Sequence, residues 1–129
     1  MLTPPHNVVG WFEIPVTEME RAIAFYEGVL DVRLERHTMG PLDMAWFSMV
    51  ENSMGAAGSL VQHELYQPSD KGVLVYFTAF SGDLNTELAR VEPAGGKVLM
   101  SKKQISPEYG YMALVLDTEG NRIALHSRK

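Results

Sequence analysis

The sequence predicts an α+β fold: two tandem βαβββ modules forming a curved mixed sheet around a central cavity, with the helices outside. Three observations lead there. Short β-prone runs alternate with only two amphipathic stretches, and the order strand, helix, strand, strand, strand occurs twice. The acidic residues that open the two helices, Glu18 and Asp83, stand 65 positions apart in a chain of 129, which points to two copies of one module. A chain of this length supports one core, so we expect a single domain with modules at about 7–63 and 72–127 and a linker at 64–71.

The elements follow in order. In "VVGWFEIPV", residues 8–16, strand alternation puts Val8, Phe12, Ile14 and Val16 on a core face and Trp11 and Glu13 on the other. "TEMERAIAFYEGVL" predicts a helix: Thr17 and Glu20 have capping-box spacing, and Met19, Ala22, Ile23, Tyr26 and Leu30 recur as a helical stripe. Three strand-like runs follow, "VRLERHTM", "LDMAWFSMV" and "AAGSLVQH", separated by Gly40-Pro41 and by "ENSMG". The polar, turn-rich "HELYQPSDKG" then links the modules or covers the cavity mouth. In the second half "VLVYFTAF" is a strand. A helix opened by Asp83 carries Leu84, Leu88 and Val91 and ends at Pro93 and Gly95-Gly96. "KVLMSKKQI", "YMALVLD" and "RIALHS" complete the copy, the last two joined by the turn "DTEGN", where Gly120 is free to take a positive φ.

Composition narrows the function. The chain has no cysteine, which removes disulfides, thiolate metal sites and cysteine nucleophiles. A net charge of -5 with no basic block longer than Lys102-Lys103 argues against nucleic acid. No apolar run reaches the roughly 20 residues of a membrane span. The opening "MLTPPHNVV" lacks the pattern of a secretory signal, so a cytoplasmic protein is expected. The expected partners are a small molecule and, because sheet edges call for cover, a second copy in a homodimer.

The duplicated layout, with "VTEMERAIAFYEGVL", "GDLNTELARVEPAGGKVL" and the terminal "DTEGNRIALHS", resembles the vicinal oxygen chelate superfamily, the glyoxalase, bleomycin-resistance and extradiol dioxygenase group. Its nearest flavour is the branch related to lactoylglutathione lyase. The resemblance covers essentially the whole chain. It implies a metal held by His or Glu from the first and last strand of each module, with positions left open for vicinal substrate oxygens. In this chain those places fall on Trp11, counted back seven from Glu18, on Tyr76 as the best match in the second module, and on Ala124; the fourth is shared among Ser59, Gln62 and His63. The usual metal is therefore expected to be absent, and no cofactor is implied. Ala124 stands where a chelating carboxylate would be and leaves room in the cup.

Two further arrangements come from strand parity. Glu13 and His126 share the cavity side with Trp11 and Ala124, making a candidate acid/base pair in which the carboxylate orients the ring and raises its basicity for proton transfer next to a carbonyl. Solvated surface positions are the competing reading for both. A shifted metal arrangement through Glu13, His63 and His126 would suit Zn, Ni or Fe(II). Trp11, Trp46, Tyr76, Phe77, Tyr111 and Ala124 are candidate walls for a flat apolar or aromatic ligand, weighed against plain core. His6 and His37 are expected to be exposed. Two functions remain: a module that binds such a compound without turnover, and a lyase or isomerase using Glu13 and His126 as acid and base or an atypical metal site.

Overall fold

Alternating apolar residues shape the first strand, β1 (Phe12–Pro15), in a computed structural model that describes residues 3–129. Helix α1 (Met19–Leu30) follows, then β2 (Leu34–Met39), β3 (Leu42–Phe47) and β4 (Gly58–Gln62). The second module repeats the order with β5 (Tyr76–Thr78), α2 (Leu84–Val91), β6 (Lys97–Ser106), β7 (Gly110–Leu116) and β8 (Arg122–Ser127). Each module forms a four-stranded mixed sheet, ordered β1-β4-β3-β2 and β5-β8-β7-β6, in which the first strand runs parallel to the last and the others pair antiparallel. All ten predicted elements are present. Two begin three or more residues later than expected: Val8 is 96% exposed and outside β1, and only three residues of "VLVYFTAF" pair, all with β8.

Helix α1 departs from its predicted cap. Glu18, not Thr17, is the N-cap, and its carboxylate accepts from the Arg21 amide at 2.8 Å. The Thr17 hydroxyl and amide are instead taken by Glu119, so a long-range partner displaces the local capping box. Asp83 caps α2 as expected, accepting from the Asn85 amide at 3.0 Å. Helix α1 ends on Asp31 in the left-handed region (φ 57°), and the chain after α2 turns through Gly95 at φ 99°.

One apolar core joins the modules. It takes Ile14, Ala45 and Leu60 from the first sheet, Phe77, Ala113, Val115, Ile123 and Leu125 from the second, and the inner stripes of both helices. The rings of Phe12 and Phe77 meet edge to face at 5.7 Å, so the edge strands β1 and β5 approach each other on the helix side, and Tyr26 of α1 reaches Phe77 at 5.6 Å. Side chains this size each contribute about 1.5–3 kcal/mol on burial. The "DTEGN" turn, with Gly120 at φ 93°, pins the modules together: Tyr26 donates to Asp117 at 2.6 Å, and the Asn121 amide donates to the Pro15 carbonyl at 2.7 Å.

Candidate functional site

With Phe12, Ile14, Ala45, Leu60, Phe77 and Leu125 turned to the helices, alternation sends Trp11 and Glu13 of the first strand, Trp46, Ser59, Tyr76, Ala124 and His126 to the helix-free face. Phe77 and Tyr111 are corrected by the same rule. Phe77 is 8% exposed inside the aromatic core, and Tyr111 packs on that core with the Lys102 ammonium 4.5 Å over its ring, so neither reaches the helix-free face.

On the first module the register sets three polar residues in a row across neighbouring strands: Glu13 opposite Ser59, and Ser59 opposite Trp46. Trp46 is stacked on His37 at 3.9 Å and meets the edge of Trp11 at 5.4 Å. The expected exposure of His37 is thus wrong; Trp46, on the adjacent strand and the same face, draws the ring down. Glu13 accepts from the Tyr66 hydroxyl at 3.0 Å and, at 3.4 Å, from the Trp11 indole. That hydrogen bond holds the Tyr66 phenol in its protonated form, raising its pKa. The Ser59 hydroxyl and the Trp46 indole nitrogen are buried with no hydrogen-bond partner, an arrangement that native interiors seldom leave unresolved. Sequence reasoning missed His37 and Tyr66. Parity with Glu35 on a strand beside Trp46 was the available signal for the first; Tyr66, in the linker, gave none.

On the second module Tyr76 lies opposite Ala124, and Thr78 opposite His126. Tyr76 is 49% exposed and its hydroxyl sits 3.6 Å from the Met112 sulfur. Ala124 does not open space as expected: it is 0% exposed, flanked by its larger register partners Tyr76 and Leu114. Nor are Glu13 and His126 brought together. A ring nitrogen of His126 lies 2.6 Å from the Tyr109 carbonyl, while Glu13 serves Tyr66 and Trp11, and no hydrogen bond joins the two. The position of His63 is equally separate: its Nδ1 accepts from the Leu65 amide, and its ring meets Tyr66. Among the described residues no three His, Asp or Glu side chains converge as a metal cluster, so Glu13, His63 and His126 do not form one.

The backbone also revises which positions correspond. The amides of Val16 and Ala79 make the same bond to the last strand of their modules, to Val61 and His126. The helix N-cap then follows Val16 by two residues but Ala79 by four, because "FSG" lengthens the second connection. By this register Ser59 is the counterpart of Ala124, Tyr76 of Glu13, and Leu74 of Trp11. The four family positions therefore carry Trp11, Ser59, Leu74 and Ala124, a set without imidazole or carboxylate that does not fit a divalent cation.

Two clefts flank the linker. The larger, about 560 Å³, lies at the end of the first module between Thr17, Asp43, His63 and Tyr66 and contains none of the eight candidate residues. The smaller, about 240 Å³, lies at the seam, where Glu13 and Arg122 line it from the two sheets and Gln67, Ser69 and Lys71 of the linker cover it. Arg122 donates there to the Gly72 carbonyl at 2.9 Å. No helix among the described residues is long and apolar enough to cross a membrane.

This geometry has counterparts. A family model described as the glyoxalase/bleomycin resistance protein/dioxygenase superfamily matches residues 8–125. Glyoxalase I from Zea mays superposes with a TM-score of 0.67 at 17% identity; 92% of this chain is covered, but it spans only 45% of the maize enzyme. A glyoxalase/bleomycin resistance protein from Albidiferax ferrireducens T118 gives 0.68 at 16% identity over 95% of this chain and all of the other. TnmS3, an antibiotic-binding protein from Streptomyces sp. CB03234, gives 0.64 at 20% identity over 98% of this chain and all of the other. At such identities the likeness is one of fold. No curated protein matches the chain.

Proposed function

The chain belongs to the glyoxalase/bleomycin resistance protein/dioxygenase superfamily, and from that premise we propose that it is a cytoplasmic homodimer whose helix-free face binds a small flat apolar or aromatic molecule without a chelated metal. The observation that carries this reading is the set Trp11, Ser59, Leu74 and Ala124 at the four ligand places. A neutral hydroxyl, two aliphatic groups and an indole offer a cation nothing to replace its water, whereas Trp11, Trp46 and Tyr76 offer ring surface. The antibiotic-binding neighbour of the same fold is consistent with holding a compound rather than converting it. Dimerisation is supported by the outer edge strands β2 and β6, which carry the exposed apolar residues Met39, Leu99 and Ile105 beside unpaired backbone groups.

The test combines two measurements on protein purified without chelator. Elemental analysis is expected to find no stoichiometric Zn, Ni or Fe. Titration with 2-naphthol is expected to quench the tryptophan fluorescence saturably, and the Trp11→Ala variant to lose much of that response. Stoichiometric metal, or aromatic titrations that leave both tryptophans unaffected, would overturn the proposal.

A further inference from the structure

Resting on that reading, we infer that the ligand carries a carbonyl oxygen on its aromatic plane, received by the Trp46 indole N–H and the Ser59 hydroxyl. The two residues are register partners across β3 and β4, and both polar atoms are buried without a partner. An indole nitrogen can only donate, so what completes it must be an acceptor. A serine hydroxyl rotates freely and can donate to the same oxygen. A ligand without an acceptor would leave both unmet, which is where a polar site discriminates most strongly between near-identical shapes.

Trp11, in edge contact with Trp46, is the side chain that an incoming ring must shift. Trp11 precedes β1, is 37% exposed, and is held by an edge contact on Trp46 and a 3.4 Å bond to Glu13, near the limit of a hydrogen bond. A shift of Trp11 admits a planar ring beside Trp46, with Trp11 as one wall, and His37 backs Trp46 from the neighbouring strand. Glu13, opposite Ser59, stays ready to accept a bond from a ligand hydroxyl or N–H next to the carbonyl, with Tyr66 fixing its orientation.

The probes are 9-fluorenone and fluorene, which share a planar tricyclic outline and differ by a carbonyl in place of a methylene. Calorimetric titration is expected to give fluorenone an affinity about tenfold or more above fluorene. In ¹⁵N-labelled protein, the Trp46 indole N–H resonance, assigned with the Trp11→Phe variant, is expected to move downfield with fluorenone and not with fluorene. Trp46→Phe is expected to bring fluorenone down to the level of fluorene, and Ser59→Ala to remove part of the difference while leaving the fold intact by circular dichroism. Equal affinities for the two probes, with the Trp46 resonance unmoved, would sink the carbonyl inference and leave aromatic binding standing. Binding of neither probe would sink both.

Discussion

At the scale of single residues, most of the polar precision lies in Asp117 and Asn121. Asp117 accepts from the Tyr26 hydroxyl, from the Glu119 and Asn121 amides and from the Asn121 side chain, while Asn121 reaches on to the Pro15 carbonyl and accepts from the Ser69 amide. One turn thereby ties α1, β1 and the linker to the second module. Burial first, then the Asp117 charge and hydrogen bond, push the Tyr26 phenol well above its ordinary pKa, so it stays a donor. Tyr26→Phe leaves a buried carboxylate short of that donor and is expected to cost about 1.5–3 kcal/mol in urea unfolding, with the m-value unchanged. The sequence makes the turn legible through Gly120 but not its clamp. Turn propensity is local, whereas Tyr26 and Asp117 meet only because two modules share a core. Trp46 and Ser59 illustrate the same limit: alternation assigns their face, and only the strand register sets them opposite each other.

At the scale of elements, strands stand out where both faces have a task. "RIALHS" is β8 to the residue because burial on both faces and two ladder partners constrain it, whereas β5, an edge paired only with β8, keeps three residues of a longer apolar run. Counting from the helix start misplaces the second module's first-strand position by two, since connection length is free to vary while the ladder is not. The end of α2 is more tightly determined. Gly95 and Gly96 turn the chain into β6, with the Gly96 amide bonded to the Val91 carbonyl at 2.9 Å. A methyl group on Gly96 would stand 2.5 Å from both the Leu116 carbonyl oxygen and the Phe25 ring. Gly96→Ala is therefore expected to destabilise the protein by about 1–3 kcal/mol, as overpacking does, measured by chemical denaturation. Gly120→Ala, with nothing near its added methyl, is expected to cost less, and only through its positive φ.

At the scale of the whole molecule, the modules are also held by charge, and this makes the assembly sensitive to acid. The Glu119 carboxylate, from the second module, accepts from the Thr17 and Glu18 amides at the start of α1, from the Thr17 and Thr118 hydroxyls, and from the Arg21 guanidinium at 2.7 Å. It stands at a helix N-terminus, where a negative charge is favoured. Burial alone would raise its pKa, but the Arg21 bond and the amides of Glu18 and Thr17 outweigh burial and hold the group at about 2 instead of the ordinary 4.5. A carboxyl depressed on folding contributes stability above its unfolded pKa and loses it as protons bind the native state. The contribution of Glu119 is thus complete above pH 4.5 and declines as pH falls from there to about 2. Glu119→Gln keeps the shape of the side chain and removes the charge. Thermal unfolding should place this variant below the parent at pH 6, with the gap narrowing steadily on acidification and closing near pH 2. A gap that stayed constant between pH 6 and pH 3 would mean that the carboxylate joins the modules by shape alone.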